Sequence, residues 1–152
     1  MPYAKKPKPP RRDPNALPLA IINHRTLFLH IPHTVDAGTI YEATRFEWAL
    51  DAERAAEAEI ILAHANGLIL EAFSASAWLE SNEANFPGRD PTPGRFGFIG
   101  ELASQEIRDH YVGKAVPSKY RRGRNPVRYS YEKGEGDPLR AQAYQSFHGS
   151  GQ

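Results

Sequence analysis

Asn66-Gly67 interrupts the run of residues 60–73, IILAHA-NG-LILEAF, and constrains the fold more than any other stretch of the chain. A two-residue hairpin turn that matches the twist of its strands needs positive φ at both central positions, and Asn-Gly adopts it at little cost. With a mostly apolar six-residue run on each side, the dipeptide predicts two antiparallel strands at the centre of the protein. The preceding segment has a different pattern. Alanines stand at positions 49, 52, 55, 56 and 58, and Ile40, Tyr41, Ala43, Trp48, Ala52 and Ala55 follow roughly a 3.6-residue period. That spacing predicts one long helix over residues 37–59, capped by Thr34 or Asp36. A helix followed by a hairpin makes the class α+β.

The remaining elements follow from local signals. LPLAIINH, beginning at Leu17, reads as strand, with Leu19 and Ile21 and then Leu27, Phe28 and Leu29 as apolar contacts until Pro32 ends it. The second hairpin strand continues through Ala72 towards Trp78. RFGFIG, residues 95–100, predicts another strand whose inner glycine marks a bulge or a close backbone approach. Ser104 caps a short helix over 104–111, and residues 127–131 form a last short strand. Between them, SNEANFPGRDPTPG at 81–94 holds three prolines and two glycines, a long irregular loop. The expected architecture is a small, mostly antiparallel β-barrel or curved sheet with one long early helix and one short helix. It occupies residues 17–131, between a disordered basic Pro-rich arm (1–16) and a flexible polar tail (132–152).

A chain of 152 residues fits one such domain. It has no cysteine, which excludes disulfides, thiolate zinc sites and cysteine nucleophiles. The N-terminus is basic without an apolar core, and no run approaches the ~20 apolar residues that span a bilayer. These features lead us to expect a cytoplasmic protein that does not enter membranes. The net charge of +1 hides a strong segregation: Lys5, Lys6, Lys8, Arg11, Arg12, Lys119, Arg121, Arg122, Arg124 and Arg128 are 10 of the 19 Lys and Arg residues. Between Asp36 and Asp109 the balance reverses, with 14 acids against 5 bases. Local basic fields attract polyanions whatever the net charge.

KYRRGRNPVRY, residues 119–129, is therefore the first candidate site. Lys119, Arg121, Arg122, Arg124 and Arg128 suit phosphates, and Tyr120 and Tyr129 suit stacking on bases. Gly123 and Asn125-Pro126 place them on an exposed turn. The same residues also make sense as a solvated loop that offsets the acidic helix. The N-terminal arm is a second polyanion contact or a docking segment for a protein partner. His30-Ile31-Pro32-His33 holds a close histidine pair, but its proline opposes helical ligand spacing and no third ligand is apparent, so no metal or cofactor is expected. Glu47 and Asp51, four residues apart on one helical face, have the spacing to hold a divalent ion or divide acid and base roles. A solvated face paired with Arg45 and Arg54 explains the same residues without chemistry and is the reading favoured. Most aromatics are needed for the core, while Trp78 and Phe86 border the polar loop.

The order of YEATRFEW, IILAHANGLILEAF, WLE, RFGFIG, YVGKAV and RNPVRY resembles the PUA-like superfamily, in particular its EVE and ASCH-type branches, over residues 17–131. The resemblance implies a five- or six-stranded pseudobarrel with a cleft beside the early helix that receives RNA or a modified or flipped DNA base. Thr44, Arg45 and Trp48 on the helix, with Trp78 and Phe98 on the barrel, would line that cleft, and Arg121, Arg122 and Arg124 would grip phosphates. The long 81–94 loop departs from the family pattern. The function expected is a nucleic-acid-binding domain, a reader of RNA or modified-base DNA without catalytic residues. The alternative is a metal-dependent nuclease or hydrolase acting through Glu47 and Asp51.

Overall fold

The computed structural model describes residues 17–32 and 40–136. The basic arm, His33, Thr34, Asp36 and the tail from residue 137 lie outside the described residues. The elements are β1 (Thr26–His30), α1 (Ile40–Arg45), α2 (Ala52–Ala56), β2 (Ile60–Ala65), β3 (Leu68–Glu80), β4 (Phe96–Leu102), α3 (Gln105–Tyr111), a 3-10 turn (Ser118–Tyr120) and β5 (Val127–Tyr129). The five strands form one sheet in the order β4-β3-β2-β1-β5. β1 lies parallel to β2, and the other pairings are antiparallel. β4 and β5 remain as the two edges, so the sheet is open and the expected barrel does not close. None of the described helices is long and apolar enough to cross a membrane.

The hairpin forms as its turn dictates. Asn66 and Gly67 have φ of 51° and 79°, and Ala65 pairs with Leu68 across them. Around it the sheet is covered on both faces, which suits the wholly buried β2. Side chains alternate between the two faces. Leu27, Leu29, Ile61, Ala63 and Phe73 join Ile40 of α1, Trp48 and Ala55 of α2 in one apolar cluster. Phe28, Ile60, Leu62 and Ala72 join Tyr111 of α3, Ala20 and Val116 in the other. Tyr111 holds the entering chain, its hydroxyl 2.7 Å from His24 Nδ1 and accepting from Asn23 N at 3.0 Å.

The single long helix is not formed; α1 has six residues and α2 five. Between them Trp48 pairs with the edge of the sheet: its N donates to Phe96 O at 2.7 Å and its O accepts from Phe96 N at 2.9 Å. Helix propensity amounts to a few tenths of a kcal/mol per residue (~0–0.7) and yields readily to such tertiary pairing. Asp51 then starts the chain into α2, accepting from Glu53 N and Arg54 N. The first strand also begins later than expected. Leu19 makes only an isolated bridge to Ala115, and Leu19 and Ile21 are exposed. At the other end, residues 132–136 are fastened to α2, with Glu57 accepting from Gly134 N and Gly136 N.

The 81–94 loop is pinned by Phe86, fully buried and edge-on to Phe46 at 4.8 Å. Close backbone approach occurs at both glycines of the β4 motif. A Cβ at Gly97 would lie 2.6 Å from Arg45 O, and one at Gly100 would lie 2.0 Å from Ser74 O, beside the β3 irregularity at Ala75/Ala77. Gly100→Ala should therefore force β4 away from β3 and destabilise the protein by ~1–3 kcal/mol. Urea denaturation would measure this, and an unchanged midpoint would contradict the register.

Candidate anion-binding site

The chain entering α2 and the turns flanking β5 form an open-sided cavity of about 460 Å³, lined by Ala49, Leu50, Asp51, Arg54, Asn125, Val127, Arg128, Tyr129 and Lys133. Local chemistry shapes each wall. Asp51 caps α2 and so fixes the turn on which Arg54 sits. Asn125 Oδ1 accepts from Val127 N at 2.9 Å, an Asx-type turn that delivers the chain into β5. Pro126 O accepts from His30 N at 2.9 Å and ties that turn to β1.

Two arginines give the cavity its character. The Arg54 guanidinium lies 4.0 Å from the Tyr129 ring centre, and its Nη2 donates to Tyr131 O at 2.7 Å. The Tyr131 hydroxyl donates back to Arg54 O, which clamps the residue from both ends. Arg128 Nη2 donates to Arg122 O. A guanidinium carries five N–H donors, and these are the hydrogen bonds each makes among the described residues. Arg54 Nε and Arg128 Nε are buried without a partner. Neither arginine has a carboxylate at ion-pairing distance among the described residues.

The other charges are matched. Lys133 Nζ meets Asp51 at 2.7 Å and Glu53 at 3.3 Å. The hydrogen bond from Lys133 holds the Asp51 carboxyl below its ordinary pKa, and Asp51, then Glu53, raises that of Lys133. Among the described residues of the lining, the formal charges of Asp51, Arg54, Arg128 and Lys133 sum to +2. Burial pushes the Tyr129 hydroxyl up to about 12, so it keeps its proton, and it too has no hydrogen-bond partner. Half-buried guanidiniums with no carboxylate partner among the described residues favour an anion.

Of the ten residues expected at a nucleic-acid site, Arg128 alone lines this cavity. Arg45 is turned to Glu42, with Nε 3.1 Å from both carboxylate oxygens, and Arg89 binds the same carboxylate at 2.7 Å. Trp48 and Phe98 are core residues, not cleft walls: Trp48 Nε1 donates to Thr44 O at 2.6 Å, and Phe98 is fully buried. Trp78 is half-buried against Phe98, ring centres 5.1 Å apart, its indole nitrogen unpartnered. Tyr120 stacks on Phe28 at 4.5 Å beneath Lys119, so one of its faces is already covered. Arg121 Nε donates to Val116 O, while Arg122 and Arg124 are exposed. The basic window is thus divided among three environments.

Arg54 and Lys133 escaped sequence reasoning. Asp51 and Glu57 flank Arg54 at helical spacing and suggest intrahelical pairs, whereas one acts as a cap and the other accepts backbone N–H groups beyond β5. The carboxylates considered for metal chemistry are also engaged. Glu47 accepts from the Thr92 hydroxyl, and Asp51 is the cap and lysine partner already described. Among the described residues no group of three or more His, Asp or Glu side chains is placed to hold a metal ion. His30 stacks on His64, ring centres 5.2 Å apart. Comparison with protein-family models, curated proteins and solved structures gives no match.

Proposed function

We propose that the protein is a nucleic-acid-binding domain that holds an RNA or DNA strand through its phosphates. The observation that carries this reading is the pair Arg54 and Arg128, two guanidiniums on the walls of one cavity with no carboxylate partner among the described residues. Arg128 is bonded to the carbonyl of Arg122, so the exposed turn bearing Arg122 and Arg124 leads directly to the cavity rim. A strand lying along that turn would release counterions at each arginine it meets, and affinity would fall with salt. The engaged state of Glu47 and Asp51 favours binding over metal-dependent cleavage.

Titration of labelled single-stranded RNA and DNA at two salt concentrations tests the reading. Binding should weaken steeply with salt, and Arg128→Gln should lower the slope of log affinity against log salt by roughly 0.7. Far-UV circular dichroism verifies that the variant is folded. Absent binding, or binding indifferent to salt, would exclude the proposal.

A further inference from the structure

Resting on that reading, we infer that the cavity between α2 and β5 receives a terminal phosphomonoester, at a strand end or on a free nucleotide, and not an internal phosphodiester. Charge is the first reason. The formal charges of the described lining residues sum to +2, which matches a phosphomonoester carrying about −1.5 to −2 at neutral pH, whereas each phosphodiester carries a single charge. Glu53, the second partner of Lys133, is exposed and does not line the cavity.

Donor supply is the second reason. Arg54 and Arg128 each commit one N–H to a carbonyl. The remaining Nη N–H groups of each fork meet no acceptor of the chain's own among the described residues, whereas both Nε atoms and the Tyr129 hydroxyl are sealed from solvent. A terminal phosphate presents three strong acceptor oxygens, one more than the non-bridging pair of a diester, and planar guanidiniums bind such oxygens in pairs.

Shape supplies the third. A space of about 460 Å³ lies in the range of small-ligand sites, ~300–1,000 Å³, and is large enough for one nucleotide. The aromatic wall is not open to a base. Arg54 covers one face of Tyr129, and Tyr131 packs edge-on against it at 5.5 Å. Recognition of the phosphate without recognition of the base follows.

The test compares labelled oligonucleotides of one sequence bearing a 5′-phosphate, a 3′-phosphate or hydroxyls at both ends, with a nucleoside monophosphate and a phosphoserine peptide as competitors. One phosphorylated end should bind roughly 10- to 100-fold more tightly than the hydroxyl form. Changing the terminal base should leave that ratio unaltered. The ratio should shrink as the pH falls below about 6, where the phosphate takes up its second proton. Arg128→Gln should bring the ratio close to one, the all-hydroxyl strand weakening only by the one phosphate contact assigned to Arg128. Strong competition by the monophosphate assigns the site to free nucleotides; weak competition assigns it to strand ends. Equal binding of all three oligonucleotides overturns the inference yet leaves the proposed function standing, and no binding of any removes both. The phosphoserine peptide carries the same group without a nucleoside and should compete no better than the monophosphate; a peptide that competes far more strongly would assign the site to phosphoproteins and overturn the inference.

Discussion

Phe98→Ala should destabilise the protein by ~3–5 kcal/mol, the range for deleting a buried phenylalanine ring from a packed core. Phe98 has no exposed surface and belongs to the cluster that joins β4 to α1 and the centre of the sheet. Its ring lies 5.9 Å from that of Tyr41, 6.1 Å from Phe73 and 5.1 Å from Trp78, and Tyr41 in turn accepts from Gly100 N at 3.0 Å. Loss of the ring opens space beside all three partners at once, and the Tyr41 contact to β4 loses its support. The PUA-like resemblance would place the same residue on a cleft wall, where truncation weakens ligand binding and leaves stability nearly unchanged. Urea denaturation with nucleic-acid titration on the same variant separates the two roles. A loss below about 1 kcal/mol with abolished binding would return Phe98 to the cleft.

The contrast shows what the sequence makes legible. Asn66-Gly67 and Ser104 act within a few residues of themselves, so the hairpin and α3 could be read directly from the chain, and the glycines of RFGFIG marked β4 through the close backbone approach they permit. Trp48 could not. Its apolar spacing and the alanines after it are what a helix requires, but its backbone hydrogen bonds go to Phe96, across the sheet. The open sheet has the same origin. Closure depends on whether β4 and β5 meet, and no local residue preference governs that. At the candidate site the basic window was readable as charge, and Arg128 carries it into the cavity. Its partner Arg54 stands among acids at helical spacing. Only the capping role of Asp51 and the attachment of Glu57 to residues 134–136 remove those acids from it.

Acid should destabilise the protein through His64 by about 3 kcal/mol between pH 7 and pH 4. His64 is 3% exposed in the middle layer of the molecule, on β2 opposite His30 of β1, with Phe28 edge-on at 6.5 Å and its Nδ1 unpartnered. Burial first, then the charges of His30 and Arg121, lower its pKa from 6.5 to about 4. The unfolded chain takes up a proton at this residue near pH 6.5, whereas the native state refuses it until about pH 4. Over that window the unfolded state binds more protons, so stability is complete above pH 6.5 and is lost progressively as the pH falls through the native value. The interval corresponds to about 3 kcal/mol at 1.36 kcal/mol per pH unit. His64→Leu keeps a buried side chain of similar size and cannot titrate. Carboxylates such as Glu42 and Asp51, whose native pKa values are also lowered, add acid sensitivity of their own. The discriminating quantity is therefore the difference between the two proteins. Urea midpoints taken at pH 7, 5.5 and 4 should fall more steeply for the native sequence than for His64→Leu, most of the divergence arising below pH 6. Parallel curves would mean that His64 accepts its proton in place, with water or a neighbouring group reaching the ring that the packing of Phe28 and His30 encloses.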